Sequence, residues 1–168
     1  ANMKTLFTNA KLIDPEAQTE DTGWLLVQNG AIAATGQGEP PQADETIDCN
    51  GLCLAPGIVD IGVKVCEPGE RHKESYASAA RAAAAGGVTT MAIRPDTSPA
   101  IDTPEALEFV KRRANEDSAV NVLPLAALTK GREGREMTEI GFLMDAGAVG
   151  FSDCDAVVTN TKVFQRAL

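Results

Sequence analysis

The chain contains a single histidine, His72, and few aromatic side chains, 4% of its 168 residues. One imidazole cannot assemble a histidine-based metal site internally, since such sites draw on two or three. Sparse aromatics beside abundant Ala and Gly, densest across Ala77–Gly87, point to an aliphatic core at close helix–strand contacts. Basic residues are in deficit: 15 Lys and Arg against 24 Asp and Glu leave a net charge of −9. No nucleic acid partner is therefore expected, because phosphate binding relies on clustered cations. The nearest basic run, Lys111-Arg112-Arg113, lies late in an expected helix, where it complements the helix dipole. No apolar run approaches the roughly 18 residues of a membrane span, so no membrane partner is expected either. The opening "ANMKTLFTNAKLIDP" has one early Lys and no apolar leader core. Ala1-Asn2 ahead of Met3 reads as a remnant of expression. The four cysteines, Cys49, Cys53, Cys66 and Cys154, match no zinc-ribbon or disulfide spacing. A cytoplasmic chain with free thiols is the expectation.

What is present is globular. Apolar content of 43% and charged content of 23% suit one domain with a small appendage. Residues 1–55 alternate as strands do: Leu6–Ile13, then "GWLLVQNGAIAATG" (Gly23–Gly36), a strand–Asn-Gly–strand hairpin. An acidic, Pro-rich loop, Gly36–Glu45, leads to a third short strand pair around Thr46–Leu54. From Pro56 the pattern changes to βα units. The expected strands are Ile58–Val65, Val88–Ile93, Val120–Leu128 and Ala148–Phe151, all apolar and buried. Expected helices run from about Lys73 to Ala85, Asp102 to Asn115, Glu133 to Ala146, and onward from Thr159. The first ends on Gly86-Gly87; the second takes Asp102 or Thr103 as cap with Pro104 in its first turn.

Such units imply a parallel sheet with right-handed crossovers, so functional residues belong on the loops after strand C-termini. Those loops are Cys66–Arg71, Arg94–Asp102, Thr129–Gly134 and Ser152–Asn160. The fold class is α/β, with residues 1–55 a small β-sandwich portion and 56–168 half of a TIM-type barrel. Residues 56–168 number 113, whereas a closed eight-stranded barrel needs about 250. Half a barrel leaves open strand edges, to be covered by more chain, another copy or a partner.

Several stretches carry a family likeness. "LAPGIVDIGVKVCEPGERHKES" resembles the first-strand signature of the cyclic amidohydrolases, specifically the dihydroorotase family of zinc enzymes of pyrimidine biosynthesis. That signature runs Pro-Gly, a short apolar stretch and Asp, then His-x-His, Leu-Arg, Glu-Pro-Gly and a later His-Lys-Glu. "AAAAGGVTTMAIRPDTSPAIDTPE" is similar to the family's second strand, which ends in Met-Pro-Asn-Thr. "VNVLPLAALTKGREGREMTEIGFLMDAGAVGFSD" resembles the third and fourth units, with their Thr-Lys-Gly loop and Phe-Ser-Asp strand end. The likeness covers essentially the whole chain and implies a β sandwich completed by C-terminal strands.

The departures fall on the chemistry. The resemblance places the two metal-gripping histidines at Gly62 and Lys64. Glycine offers no ligand, and an ammonium has no lone pair and repels a dication. The arginine that clamps the substrate carboxylate falls on Cys66, which lacks charge and fork. The substrate-contacting asparagine falls on Asp96, which repels an anion when ionised. Asp153 matches a family metal ligand in the Phe-Ser-Asp segment. The other family histidines and the catalytic aspartate lie beyond Leu168. Zinc is thus the family's cofactor, and none is expected here.

A site rebuilt from Cys66, Asp153, Cys154 and Asp155, a Cys66–His72 nucleophile, and a catalytic Lys130 are conceivable. In each case an ordinary loop or strand-end residue is the plainer reading. Lys64 is expected to pair with Asp60 or Asp153 in place of the metal's charge, or to meet an anion. The leading expectation is a dihydroorotase-like protein without catalytic residues of its own, serving as a structural or assembly partner. Aspartate transcarbamoylase is the partner that the resemblance suggests; a homo-oligomer is the other expectation. The alternatives are a fragment of an active cyclic amidohydrolase with a modified metal site, and a small-metabolite binding module.

Overall fold

A computed structural model describes residues 3–168, so the reading of Ala1-Asn2 lies outside the described residues. The chain divides into two compact units, Ala1–Pro56 and Gly57–Leu168.

The first unit is a five-stranded sheet in which β1 (Lys4–Asp14) is the organising strand. Antiparallel β2 (Thr19–Gln28) pairs with β1 on one side and with β3 (Ala31–Gly36) on the other. Asn29-Gly30 makes the expected tight turn, both residues with positive φ, at 54° and 74°. The short strands β4 (Glu45–Asp48) and β5 (Cys53–Leu54) differ from expectation: they do not pair with each other. Both run parallel to β1, before and after a bulge between Phe7 and Ala10. Backbone bonds from Cys49 N to Thr8 O (2.8 Å) and Gly51 N to Asn9 O (2.7 Å) carry the chain across that bulge. Leu6, Ala10 and Leu26 are its buried apolar residues.

The second unit is built on parallel strands in the order β6 (Ile58–Val63), β7 (Val88–Ile93), β8 (Asn121–Pro124). The expected fourth strand is reduced to one bridge, Ala126 to Phe151, flanked by backbone bonds from Val149 N to Pro124 O and from Ser152 N to Ala126 O, both 3.0 Å. Helix α1 (Tyr76–Ala85) starts three residues later than expected because Ser75 caps it, in reciprocal bonds with Ser78. Helix α2 (Pro104–Asp117) has Thr103 as its cap and Pro104 at its first position. Asp102, the other candidate cap, instead accepts the Gly131 N–H at 2.8 Å. Tyr76, Ala79 and Ala80 of α1 and Leu107, Val110 and Ala114 of α2 close over Met91 and Ile93 of β7. Val65, Ile101, Ala126 and Leu143 complete this core.

Two expectations for this unit fail for identifiable reasons. Strand β6 is apolar but not buried: Ile58, Val59 and Ile61 are 55%, 58% and 78% exposed. Among the described residues it pairs only with β7, so it is an edge strand whose apolar side chains lack covering neighbours there. The helix expected from Glu133 to Ala146 is only α3 (Ile140–Asp145). Gly134, inside the expected span, has a φ of 70°, which no right-handed helix accommodates; Gly131 and Arg132, in the expected loop before it, are likewise positive at 59° and 60°. Residues 129–137 form instead a short excursion stitched by a Thr129–Met137 bridge and a Lys130 N to Glu136 O bond at 2.8 Å. The closing helix, α4 (Thr161–Ala167), is capped by Asn160.

Candidate site at the strand ends

The strand ends of the second unit converge on charged side chains. At β6 the backbone itself departs from a regular strand. Register with β7 shifts between Ile61 and Val63, skipping Gly62, whose φ is +94°. A Cβ at Gly62 would meet no atom within 4 Å, so the obstacle to a side chain there is backbone conformation rather than space.

Lys64 follows this bulge. Its ammonium pairs with Asp96 at 3.0 Å, which corrects the expectation of Asp60 or Asp153 as partner. The reason is placement: Asp96 stands three residues beyond the end of β7, the strand paired with β6. Asp96 is the hub of the cluster, its side chain only 3% exposed. Arg94 grips it with two parallel bonds, Nε to Oδ1 at 3.0 Å and Nη2 to Oδ2 at 2.8 Å. Burial pushes the Asp96 carboxyl pKa up, but the hydrogen bonds and charges of Arg94 and Lys64 together outweigh it, so the group sits below its ordinary value. The bond to Asp96 is likewise the main cause that raises Lys64 and Arg94 above theirs. The expected repulsion of an anion by Asp96 is therefore offset by two cations in direct contact.

Arg94 reaches further. Its Nη2 also donates to Asp155 Oδ1 at 3.1 Å, and Arg132 Nη2 donates to the same oxygen at 3.1 Å. Arg132 is anchored by two bonds of 3.2 Å to the Asp153 carbonyl. Neither arginine was singled out from the sequence. The signal available for Arg94 was its position in "IRPDT", where the resemblance has Met-Pro-Asn-Thr; Arg132 offered none.

Asp153 is buried and committed to the fold. Its Oδ1 accepts the Leu128 and Thr129 N–H groups at 2.9 and 3.0 Å, and its Oδ2 accepts the Thr129 hydroxyl. Cys66 is a half-buried free thiol and His72 is exposed. Lys130 pairs with Glu136 near the surface. Among the described residues, no three His, Cys, Asp or Glu side chains converge as metal ligands would. Cys66, Asp153, Cys154 and Asp155 are not gathered into one such group. Glu67 of the Glu-Pro-Gly turn has a structural part: buried, it accepts from Arg113 Nε at 3.0 Å and from the Tyr76 N–H at 3.3 Å.

A family model described as dihydro-orotase-like matches residues 51–168. This chain belongs to that family. It is 42% identical over 99% of its length to a dihydroorotase of Wolbachia sp. subsp. Brugia malayi, spanning 38% of that protein. It is 36% identical to the dihydroorotase of Geobacter metallireducens, again over 99% of its length and 39% of the relative. Among solved structures, the L-hydantoinase of Arthrobacter aurescens superposes with a TM-score of 0.76 at 27% identity, over 89% of this chain and 32% of that one. A crystal structure of a dihydroorotase matches with a TM-score of 0.59 at 16% identity, which shows the fold alone. These neighbours are TIM-barrel amidohydrolases, and the second unit has the α/β architecture of part of such a barrel. The chain spans less than half the length of the dihydroorotases it matches.

Family members are metal-dependent, and the residues here do not fit a metal at positions 62 and 64, where the resemblance implies the first-strand ligands. Position 62 has no donor atom and a backbone conformation unsuited to histidine. Position 64 carries an ammonium already paired with Asp96. Both Asp153 carboxylate oxygens are occupied by the loop after β8.

Proposed function

We propose that the chain is part of a dihydroorotase-like protein of pyrimidine biosynthesis that does not carry out zinc-dependent hydrolysis. The Lys64–Asp96 ion pair carries this reading. It joins two positions where the resemblance implies a metal ligand and a substrate contact, and it satisfies the buried Asp96 carboxylate from within the chain. A retained hydrolase tolerates a single altered ligand more readily than the joint change at Gly62, Lys64, Cys66 and Asp96. What remains is a framework, and its use is as a structural or assembly component. The exposed apolar strand β6 supports a role that involves a covering neighbour. Aspartate transcarbamoylase is the partner to test, by co-purification with the intact protein.

The deciding experiment is elemental analysis of the intact protein together with assays in both directions, using dihydroorotate and carbamoyl-aspartate. The expected result is sub-stoichiometric zinc and no turnover. One tightly held zinc per chain with turnover would overturn the proposal and leave an active cyclic amidohydrolase with a modified site.

A further inference from the structure

We propose that the strand ends hold a binding site for a small organic carboxylate, formed by Arg94, Arg132 and Lys64, and that the Asp155 side chain occupies it from within. The inference deepens the reading above, resting on it only in taking the strand ends as the working surface.

The geometry of Asp155 is the starting point. Its Oδ1 lies between two guanidinium groups, 3.1 Å from Arg94 Nη2 and 3.1 Å from Arg132 Nη2. Yet the side chain is 77% exposed, so it reaches the arginines from the solvent side. The arginines, by contrast, are held from behind: Arg94, 29% exposed, by Asp96, and Arg132, 22% exposed, by the Asp153 carbonyl. Two anchored forks converging on one loosely held carboxylate oxygen is the arrangement of a carboxylate receptor. Among the described residues Arg132 Nη1 has no acceptor, and Lys64 Nζ has only Asp96.

Charge balance favours exchange. Lys64, Arg94 and Arg132 face the carboxylates of Asp96 and Asp155, three cations against two, while Asp153 offers Arg132 only its backbone carbonyl. Asp96 is buried in the grip of two cations and Asp153 in the loop after β8, so neither can leave cheaply. Asp155 can. When it turns into solvent the three cations face Asp96 alone, and the excess positive charge attracts an incoming carboxylate. Exposed pairs hold only weakly, so a free anion competes with Asp155 on comparable terms. The site uses residues other than the family's substrate-contacting positions, Cys66 and Asp96. Its ligand class is read from the group that occupies it now: a planar carboxylate, not a neutral amide.

Calorimetric titration of the intact protein with malonate, and with neutral malonamide as the control, tests this at low ionic strength. Asp155→Ala and Asp155→Asn are each expected to bind malonate roughly two- to fivefold tighter than wild type, because the internal competitor is gone. Arg94→Met and Arg132→Gln, checked for folding by circular dichroism, are expected to lose binding. The decisive readout is the Asp155 pair of variants, which leave the arginines intact. Equal malonate affinity in wild type and both variants, absence of binding in all three, or equal binding of malonamide overturns the site. Zinc measured on the same samples separates the two proposals. A metal-free protein with no gain in the Asp155 variants sinks only the carboxylate site. A zinc-loaded, active protein that shows the gain sinks only the non-hydrolytic reading.

Discussion

Under the proposed non-hydrolytic reading, Gly62 acts against a first-strand histidine in two ways. It removes a donor atom, and it lets the strand bulge into a φ of +94° that histidine adopts only with strain. Restoring the side chain does not restore the backbone. Gly62→His is expected to destabilise the protein by about 1–2 kcal/mol, measured by urea unfolding. The double variant with Lys64→His should still bind no zinc in an equilibrium dialysis measurement. Asp96 makes the complementary case. Its folded-state pKa lies below the ordinary value of 3.8, so its contribution to stability is fully present above that value. The contribution is lost as pH falls through the lowered pKa. Asp96→Asn is thus expected to be less stable than wild type at neutral pH, with the two melting curves converging as pH drops below about 3.8. A constant gap down to the lowest accessible pH would show that packing, not charge, sets the difference.

The elements around these residues were unequally legible. Strands such as Val88–Ile93 and the start of α2 followed from apolar runs and from Thr103-Pro104, because those signals act locally. Thr129–Gly134 is the loop expected, but the helix expected from Glu133 starts only at Ile140, because Gly134 takes a left-handed conformation and Met137 is tied back to Thr129. Gly62 and Lys64, where the resemblance implies histidines, were visible as residue types. Arg94 and Arg132 meeting at Asp155 was not, since the partners are 61 and 23 residues apart and no spacing rule connects them. Asp153 stood out only as the position where the resemblance implies a metal ligand, and its work as a loop anchor appears only with the Thr129 and Leu128 N–H groups in place. That work is measurable. Asp153→Ala strands two backbone donors and a buried hydroxyl, and is expected to cost about 2–4 kcal/mol in urea unfolding. Protection of the Leu128 and Thr129 amides against hydrogen exchange should fall most. Loss confined to a bound metal, with amide protection unchanged, would assign Asp153 a ligand's part instead.

At the scale of the molecule the open question is what lies against β6. An edge strand that exposes Ile58, Val59 and Ile61 presents unpaired backbone groups beside apolar side chains, a surface prone to pairing with another chain. The dihydroorotases it matches extend well beyond the length shared here, and structural neighbours do the same. We therefore expect different behaviour from one substitution in two contexts. In the 168-residue chain alone, Ile61→Lys touches little and should shift stability by no more than about 0.5 kcal/mol. It should at the same time reduce self-association in sedimentation velocity, because a charged edge resists pairing. In any assembly or longer chain that covers β6, the same lysine would be buried without a counter-ion and should lower stability by several kcal/mol. A neutral effect in both contexts would mean that β6 stays solvent-exposed in the working molecule. The search for a covering partner would then move to Phe142 and Met144 of α3, exposed at 65% and 60%.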